Sequence, residues 1–273
     1  MSYKMIVLDL DDTLLRDDHT ISDRTKDALM RAQEQGVKVV LASGRPTSAM
    51  KHIAEELELA KYGSFILSFN GSQIIDWQDK QRVFSKTLSP EAVHKLYDIS
   101  RREGVSIHTY IGDDIVTEDD SMYTAEESAI TGIPVKFVDS FKKAVTEPVV
   151  KCLMLHDPEI LKVVEAKLQA ELEDEFSVMR SKPYFLEFMQ KGITKGTSLN
   201  HLIQILGIER EEVIAMGDSY NDLEMIQFAG LGVAMGNAND DIKAAADYVT
   251  DTNMNDGVAK VVEEFILNEL VTA

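Results

Sequence analysis

The sequence predicts an α/β protein in which a parallel-sheet core is interrupted by an α+β insert. Three observations lead there. Short apolar runs alternate with helical patterns near the N-terminus, the same alternation returns in the C-terminal third, and several strand-like segments in the middle follow one another without a helix. Apolar runs separated by helices are the mark of buried parallel strands joined by crossovers, whereas consecutive strands pair through hairpins. The boundaries implied are residues 1–82 plus 189–273 for the core and 83–188 for the insert.

Taken in order, Met5–Leu8 is an apolar run that stops at Asp9, and Ser22 caps a helix over Asp23–Gln35 that Gly36 ends. Val37–Leu41 is a second run, Ile53–Leu59 lies in a helical pattern, and Phe65–Leu67 begins a third run. In the insert, Ser89-Pro90-Glu91 opens a helix with Ser as cap and Pro in the first turn, and Asp157-Pro158 opens another that reaches about Leu172. Val105–Tyr110, Val135–Val138, Val149–Leu155, Phe176–Arg180 and Tyr184–Met189 are the expected strands between them. Thr197–Leu206 is helical up to Gly207, Val213–Met216 is a strand, and Leu223–Phe228 is a helix. Val233–Met235 and Tyr248–Thr250 are strands around a helix at Ile242–Ala246, and Val258–Leu270 closes the chain as an amphipathic helix.

Composition narrows the function. Against 28 Lys and Arg stand 47 Asp and Glu, a net charge of −19, which counts against nucleic acid or an anionic membrane as the main partner. The single cysteine, Cys152, excludes a disulfide framework and a cysteine-based zinc site, and its apolar surroundings mark it as core. The N-terminal apolar run is too short for a secretion signal, and no stretch approaches the roughly 18 apolar residues of a membrane span. A cytoplasmic protein, monomer or homodimer, is expected. The glycine-rich run Gly230–Gly236 looks like a dinucleotide loop, but it follows a helical pattern and has Met235 where Gly or Ala is wanted.

Ligands of open parallel sheets bind at the C-terminal ends of the strands. Four such ends are polar here: Asp9-Leu10-Asp11-Asp12-Thr13, Ser43-Gly44-Arg45, Asn70-Gly71, and Gly217-Asp218-Ser219-Tyr220-Asn221-Asp222. Asp9, Asp11, Asp218 and Asp222 on one edge would repel one another, and a hard divalent cation relieves that better than helix capping or turn closure does. Taken alone, Ser43 after a strand reads as a helix cap and Lys195 as a solvated charge.

Together these motifs resemble the haloacid dehalogenase superfamily of phosphohydrolases. The strand followed by Asp9-Leu10-Asp11-Asp12-Thr13, the Ser43 of Ala42-Ser43-Gly44-Arg45, the Lys195 of Thr194-Lys195-Gly196, and Gly217 through Asp222 match its four motifs in order. The resemblance implies a Rossmann-like core and a Mg²⁺ (Mg2+) cofactor held by Asp9, the Asp11 carbonyl and Asp218, with Asn221 and Asp222 ligating or orienting. It also implies Asp9 as nucleophile, Asp11 as acid and base, Ser43 and Lys195 on the phosphoryl group, and Gly44, Arg45, Asn70 and Gly71 on the substrate side. The insert between Ser43 and Lys195 is similar to the type-two cap of Cof-like sugar phosphatases, whose caps exclude water and read the leaving group, and Tyr184-Phe185-Leu186-Glu187 adds to that likeness. A phosphatase of a small phosphorylated metabolite, sugar phosphates first, is therefore the expected function. A phosphotransferase or mutase, and a catalytically silent binding module of the same fold, are the alternatives.

Overall fold

Met5, Ile6, Val7 and Leu8 are all fully buried, because their strand lies in the middle of a sheet covered on both faces. The computed structural model describes residues 3–267 and divides into two compact units, Met1–Phe84 with Thr194–Ala273, and Ser85–Ile193. The first unit begins with strands β1 (Met5–Leu8), β2 (Lys38–Ala42) and β3 (Phe65–Ser68), separated by helices α1 (Asp23–Glu34) and α2 (Lys51–Glu56). β4 (Gln73–Asp76) and β5 (Gln81–Ser85) follow without a helix. The second unit runs α3 (Pro90–Glu103), β6 (Ser106–Ile111), β7 (Asp114–Thr117), α4 (Met122–Thr131), β8 (Val135–Phe137) and α5 (Phe141–Ala144). It continues through β9 (Cys152–Leu155), α6 (Pro158–Leu172), β10 (Phe176–Lys182) and β11 (Phe185–Gln190). The chain returns through α7 (Lys195–Leu206), β12 (Val213–Gly217), α8 (Leu223–Phe228), β13 (Leu231–Ala234), α9 (Asp240–Ala245), β14 (Tyr248–Val249) and α10 (Gly257–Val261).

The sheet of the first unit has the order β14-β13-β12-β1-β2-β3-β4-β5. β12, β1, β2 and β3 are neighbours and parallel, so the four polar strand ends read from the sequence emerge along one edge. Side chains alternate between faces along β1. Ile6 and Leu8 join Leu29 of α1 and Val258 of α10 on one face, and Met5 and Val7 join Leu199 and Leu202 of α7 on the other. Ser22 caps α1 by accepting the Thr25 N–H at 3.1 Å. β4 pairs antiparallel with β3, and this extension of the core sheet was not expected from the sequence. Val262–Ile266 continues α10 with a wider turn, and the last part of the helix expected over Val258–Leu270 lies outside the described residues.

The sheet of the second unit has the order β10-β11-β9-β6-β7-β8. Ile107, Cys152, Met154, Leu186 and Phe188 pack one of its faces on Val93 and Leu96 of α3 and Leu161 and Leu168 of α6. Burial pushes the Cys152 thiol up to about 12, which leaves it an inert core group. Consecutive strands here were expected to pair as hairpins, yet β7 and β8 are parallel. The reason is α4, which carries the chain back between them and was not anticipated. The acids of Glu171–Glu175 are exposed at the end of α6, where Glu171 accepts both arms of Arg102 (2.9 and 2.7 Å) and Glu175 takes Lys95 at 2.5 Å.

Candidate active site

Asp9 is delivered by β1, and its N–H donates to the Met216 carbonyl of β12 at 3.1 Å. The chain then turns sharply, with Asp12 in the left-handed region at φ 61°, and the Leu14 N–H closes back on the Asp9 carbonyl at 3.3 Å. That turn brings Thr13 Oγ1 to within 2.9 Å of Asp218 Oδ1, to which it donates. At the end of β12, the N–H groups of Asp218 and Ser219 donate to Asp222 Oδ2 at 3.2 and 3.1 Å. Gly217 is required here, since a Cβ on it would lie 2.4 Å from the Asp222 Cβ.

Lys195 stands in the first turn of α7, whose N-cap Thr194 accepts the Thr197 N–H at 3.1 Å. Its ammonium is fully buried between two carboxylates, donating to Asp9 Oδ1 and, at 2.6 Å, to Asp222 Oδ1. Asp9, Asp218 and Asp222 each offer a carboxylate oxygen within 4.8 Å of the others. Burial and then the Asp222 charge raise the Asp9 carboxyl well above its ordinary range, with Lys195 opposing. The same two causes push Asp218 up to about 7. Burial alone would lower the Lys195 ammonium, but the charges of Asp222 and Asp9 more than offset it and its pKa is raised. Three crowded carboxylates therefore share one ammonium, an all-oxygen donor set short of positive charge, and that fits a hard divalent cation such as Mg²⁺.

The substrate-side residues assemble next to this cluster. Ser43 follows directly on β2, with its N–H on the Leu67 carbonyl at 2.9 Å and its Oγ accepting the Arg45 N–H at 3.1 Å. Asn70, left-handed at φ 54°, donates its N–H to the Ser43 carbonyl at 2.9 Å and accepts Asn221 Nδ2 at 3.2 Å through its Oδ1. A Cβ at Gly44 would press on the Asn70 amide at 3.3 Å, and one at Gly71 would collide with Ser198 Oγ at 2.6 Å. Ser198 itself donates to the Gly71 carbonyl at 2.7 Å and so ties that loop to α7. The Asp11 carboxylate is not part of the trio and takes the Arg45 guanidinium.

The structure thus brings Asp9, Lys195, Asp218 and Asp222 together and gathers Ser43, Gly44, Asn70, Gly71 and Asn221 beside them. Asn221 spends its amide on Asn70. Four residues in supporting roles were missed from the sequence. Thr13 was visible as the end of the Asp-x-Asp-x-Thr pattern, and its contact with Asp218 gives that threonine its use. Ser198, Glu224, which accepts Thr194 Oγ1 at 2.5 Å, and Asn237, whose Nδ2 donates to the Asp12 carbonyl at 2.7 Å, carry no comparable signal. A cavity of about 380 Å³ opens beside Asp218, Asp12 and Asn237.

A parallel sheet presenting a buried lysine among carboxylates at its strand ends, next to a Ser-Gly-Arg turn, defines a hydrolase built for phosphoryl groups. A model of the haloacid dehalogenase-like hydrolase family matches residues 6–262, and the chain belongs to that family. It is 34% identical over 265 residues to the 5-amino-6-(5-phospho-D-ribitylamino)uracil phosphatase YcsE of Bacillus subtilis (strain 168), covering 97% of this chain and 96% of that one. A solved haloacid dehalogenase-like hydrolase from Bacteroides thetaiotaomicron is 46% identical, with a TM-score of 0.90 over 96% of this chain and 99% of its own. The subclass IIB sugar phosphatase BT4131 superposes with a TM-score of 0.81 at 27% identity, over 96% of this chain and 98% of its own. The enzyme class is phosphoric monoester hydrolase. No helix among the described residues is long and apolar enough to cross a membrane.

Proposed function

We propose that the protein hydrolyses phosphomonoesters of small sugar or sugar-alcohol metabolites with Mg²⁺ through a phosphoryl-aspartate at Asp9. The observation that carries this reading is Lys195, buried between Asp9 and Asp222 with Asp218 alongside. Asp9, the Asp11 carbonyl and Asp218 would hold the cation, with Asp222 and Asn221 supporting them. Bound there, it would offset the repulsion between an anionic nucleophile and an anionic phosphate.

The chain's own residues account for the rest. Asp9 Oδ attacks phosphorus as the bond to the ester oxygen breaks, and that oxygen takes a proton from the Asp11 carboxyl. Water then attacks the phosphoryl-aspartate, gives its proton to Asp11, and frees phosphate and Asp9. Lys195 and Ser43 donate to the phosphoryl oxygens as charge builds on them. Gly44, Asn70 and Gly71 shape the substrate side. We assign the choice of organic group to the inserted segment 83–188. The substrate class rests on the relatives: one is named for a phosphoribityl compound and another for sugar phosphates.

The test is phosphate release from a panel of phosphorylated sugars, sugar alcohols, nucleotides and small acids, with Mg²⁺ and with chelator. The expected result is metal-dependent release, fastest on sugar or sugar-alcohol phosphates and absent in Asp9→Asn. Undiminished release in Asp9→Asn, or with chelator, overturns the reading.

A further inference from the structure

We infer that Arg45 is a positioning residue for Asp11, acting on the leaving-group proton rather than on the transferred phosphoryl group; this rests on the phosphatase reading above. The Arg45 fork meets the Asp11 carboxylate with both ends, Nε to Oδ2 at 2.9 Å and a terminal nitrogen to Oδ1. Such a bidentate pair fixes the plane of a carboxylate as well as its place, which a single hydrogen bond does not.

Both partners stand on anchored backbone. Arg45 gives its N–H to Ser43 Oγ at 3.1 Å and accepts the Phe69 N–H on its carbonyl at 3.0 Å. Pro46 behind it disfavours helical conformations at Arg45. Asp11 is extended at φ −68°, ψ 131°, and the left-handed Asp12 that follows is held by Asn237 through its carbonyl at 2.7 Å. The Arg45 side chain is 17% exposed and that of Asp11 is 48% exposed. The arginine is thus the seated member, and the carboxylate it aims is the one open to solvent.

The chemistry follows from which oxygen needs help. When the P–O bond breaks, its electron pair goes to the ester oxygen, and an alkoxide leaves poorly unless a proton arrives from Asp11 in line. A nitrophenolate leaves without that proton. Loss of aim at Asp11 therefore lowers kcat/KM, which reports the first transfer, for alkyl esters and spares it for aryl esters, while the water step common to both slows; loss of a phosphate ligand lowers kcat/KM for both. Lysine keeps the charge of Arg45 but has no fork, so it cannot restore the aim.

The experiment compares kcat/KM for a sugar phosphate and for p-nitrophenyl phosphate in wild type, Arg45→Lys, Asp11→Asn and the double variant, with inhibition by inorganic phosphate as a binding readout. The expected result is that Arg45→Lys loses about 10-fold or more in kcat/KM on the sugar phosphate, changes kcat/KM for p-nitrophenyl phosphate and phosphate inhibition by less than about 3-fold, and adds nothing to Asp11→Asn. Equal losses on both esters with weakened phosphate inhibition would make Arg45 a phosphate ligand and overturn the inference alone. Full activity of Arg45→Lys overturns it as well. A wild type that hydrolyses neither ester overturns the proposed function and this inference together.

Discussion

Lys195 decides most at the scale of single residues. An ammonium without solvent contact persists because Asp9 and Asp222 close on it, and the same contacts make it costly to remove. Taking one partner from a buried ion pair typically costs about 3–5 kcal/mol, since the charge left behind has neither water nor a counter-ion. Lys195→Met, which keeps the bulk, is therefore expected to lower the unfolding midpoint in chelator by several degrees and to cut phosphate release more than about 100-fold. Thermal unfolding and a phosphate assay check this, and a variant with unchanged melting would show that the pair contributes nothing to the fold. Asp9 and Asp218 were legible because an acid ends each apolar run, and Asp222 because it closes the polar motif that Asp218 opens. The partners that orient them were not, since Thr13 meets Asp218 across 205 positions and Asn237 meets Asp12 across 225. Contacts of that separation leave no local pattern.

Elements were read well where their burial is simple. β1, β2, β3 and β12 are apolar runs because both faces of the sheet are covered, and α1, α3, α6 and α7 begin at caps or prolines that the sequence displays. β7 and α4 were lost for the opposite reason. β7 has four residues, and the Met122–Thr131 segment mixes Thr, Ser and Glu without a clear apolar stripe. α4 instead buries polar groups: Thr124 Oγ1 pairs with His108 Nδ1 at 3.2 Å, and Glu127 accepts the Tyr110 hydroxyl. His108 of β6 is fully buried with its Nε2 unpartnered, and burial together with the nearby Lys151 charge lowers its pKa to about 3. Between that value and the ordinary histidine range the unfolded chain binds a proton that the folded chain refuses, so stability falls as pH falls. The contribution is intact above about pH 6.5 and drops by up to about 1.4 kcal/mol per pH unit below it. Urea midpoints of wild type and His108→Gln between pH 7 and 4.5 check this: the wild type should lose more, and parallel losses would exclude His108 as the cause.

For the molecule as a whole, a net charge of −19 and an anionic substrate set a problem that the site must solve locally. Lys195 and Arg45 are already engaged by carboxylates, which supports the proposed divalent cation beside Asp9 and Asp218. The family match spans residues 6–262 and so takes in all four motifs, dispersed from Asp9 to Asp222, together with the long insert between Ser43 and Lys195. In the proposed mechanism Asp9 becomes phosphorylated. The most direct measurement mixes Asp11→Asn, which lacks the base proposed for the water step and should therefore hold the intermediate, with p-nitrophenyl phosphate and Mg²⁺, then quenches in acid and reduces with borohydride. Peptide mapping should find homoserine at position 9 only when both substrate and metal were present. Release of nitrophenol at the enzyme's concentration or beyond, with position 9 still aspartate, would mean that water attacks phosphorus directly.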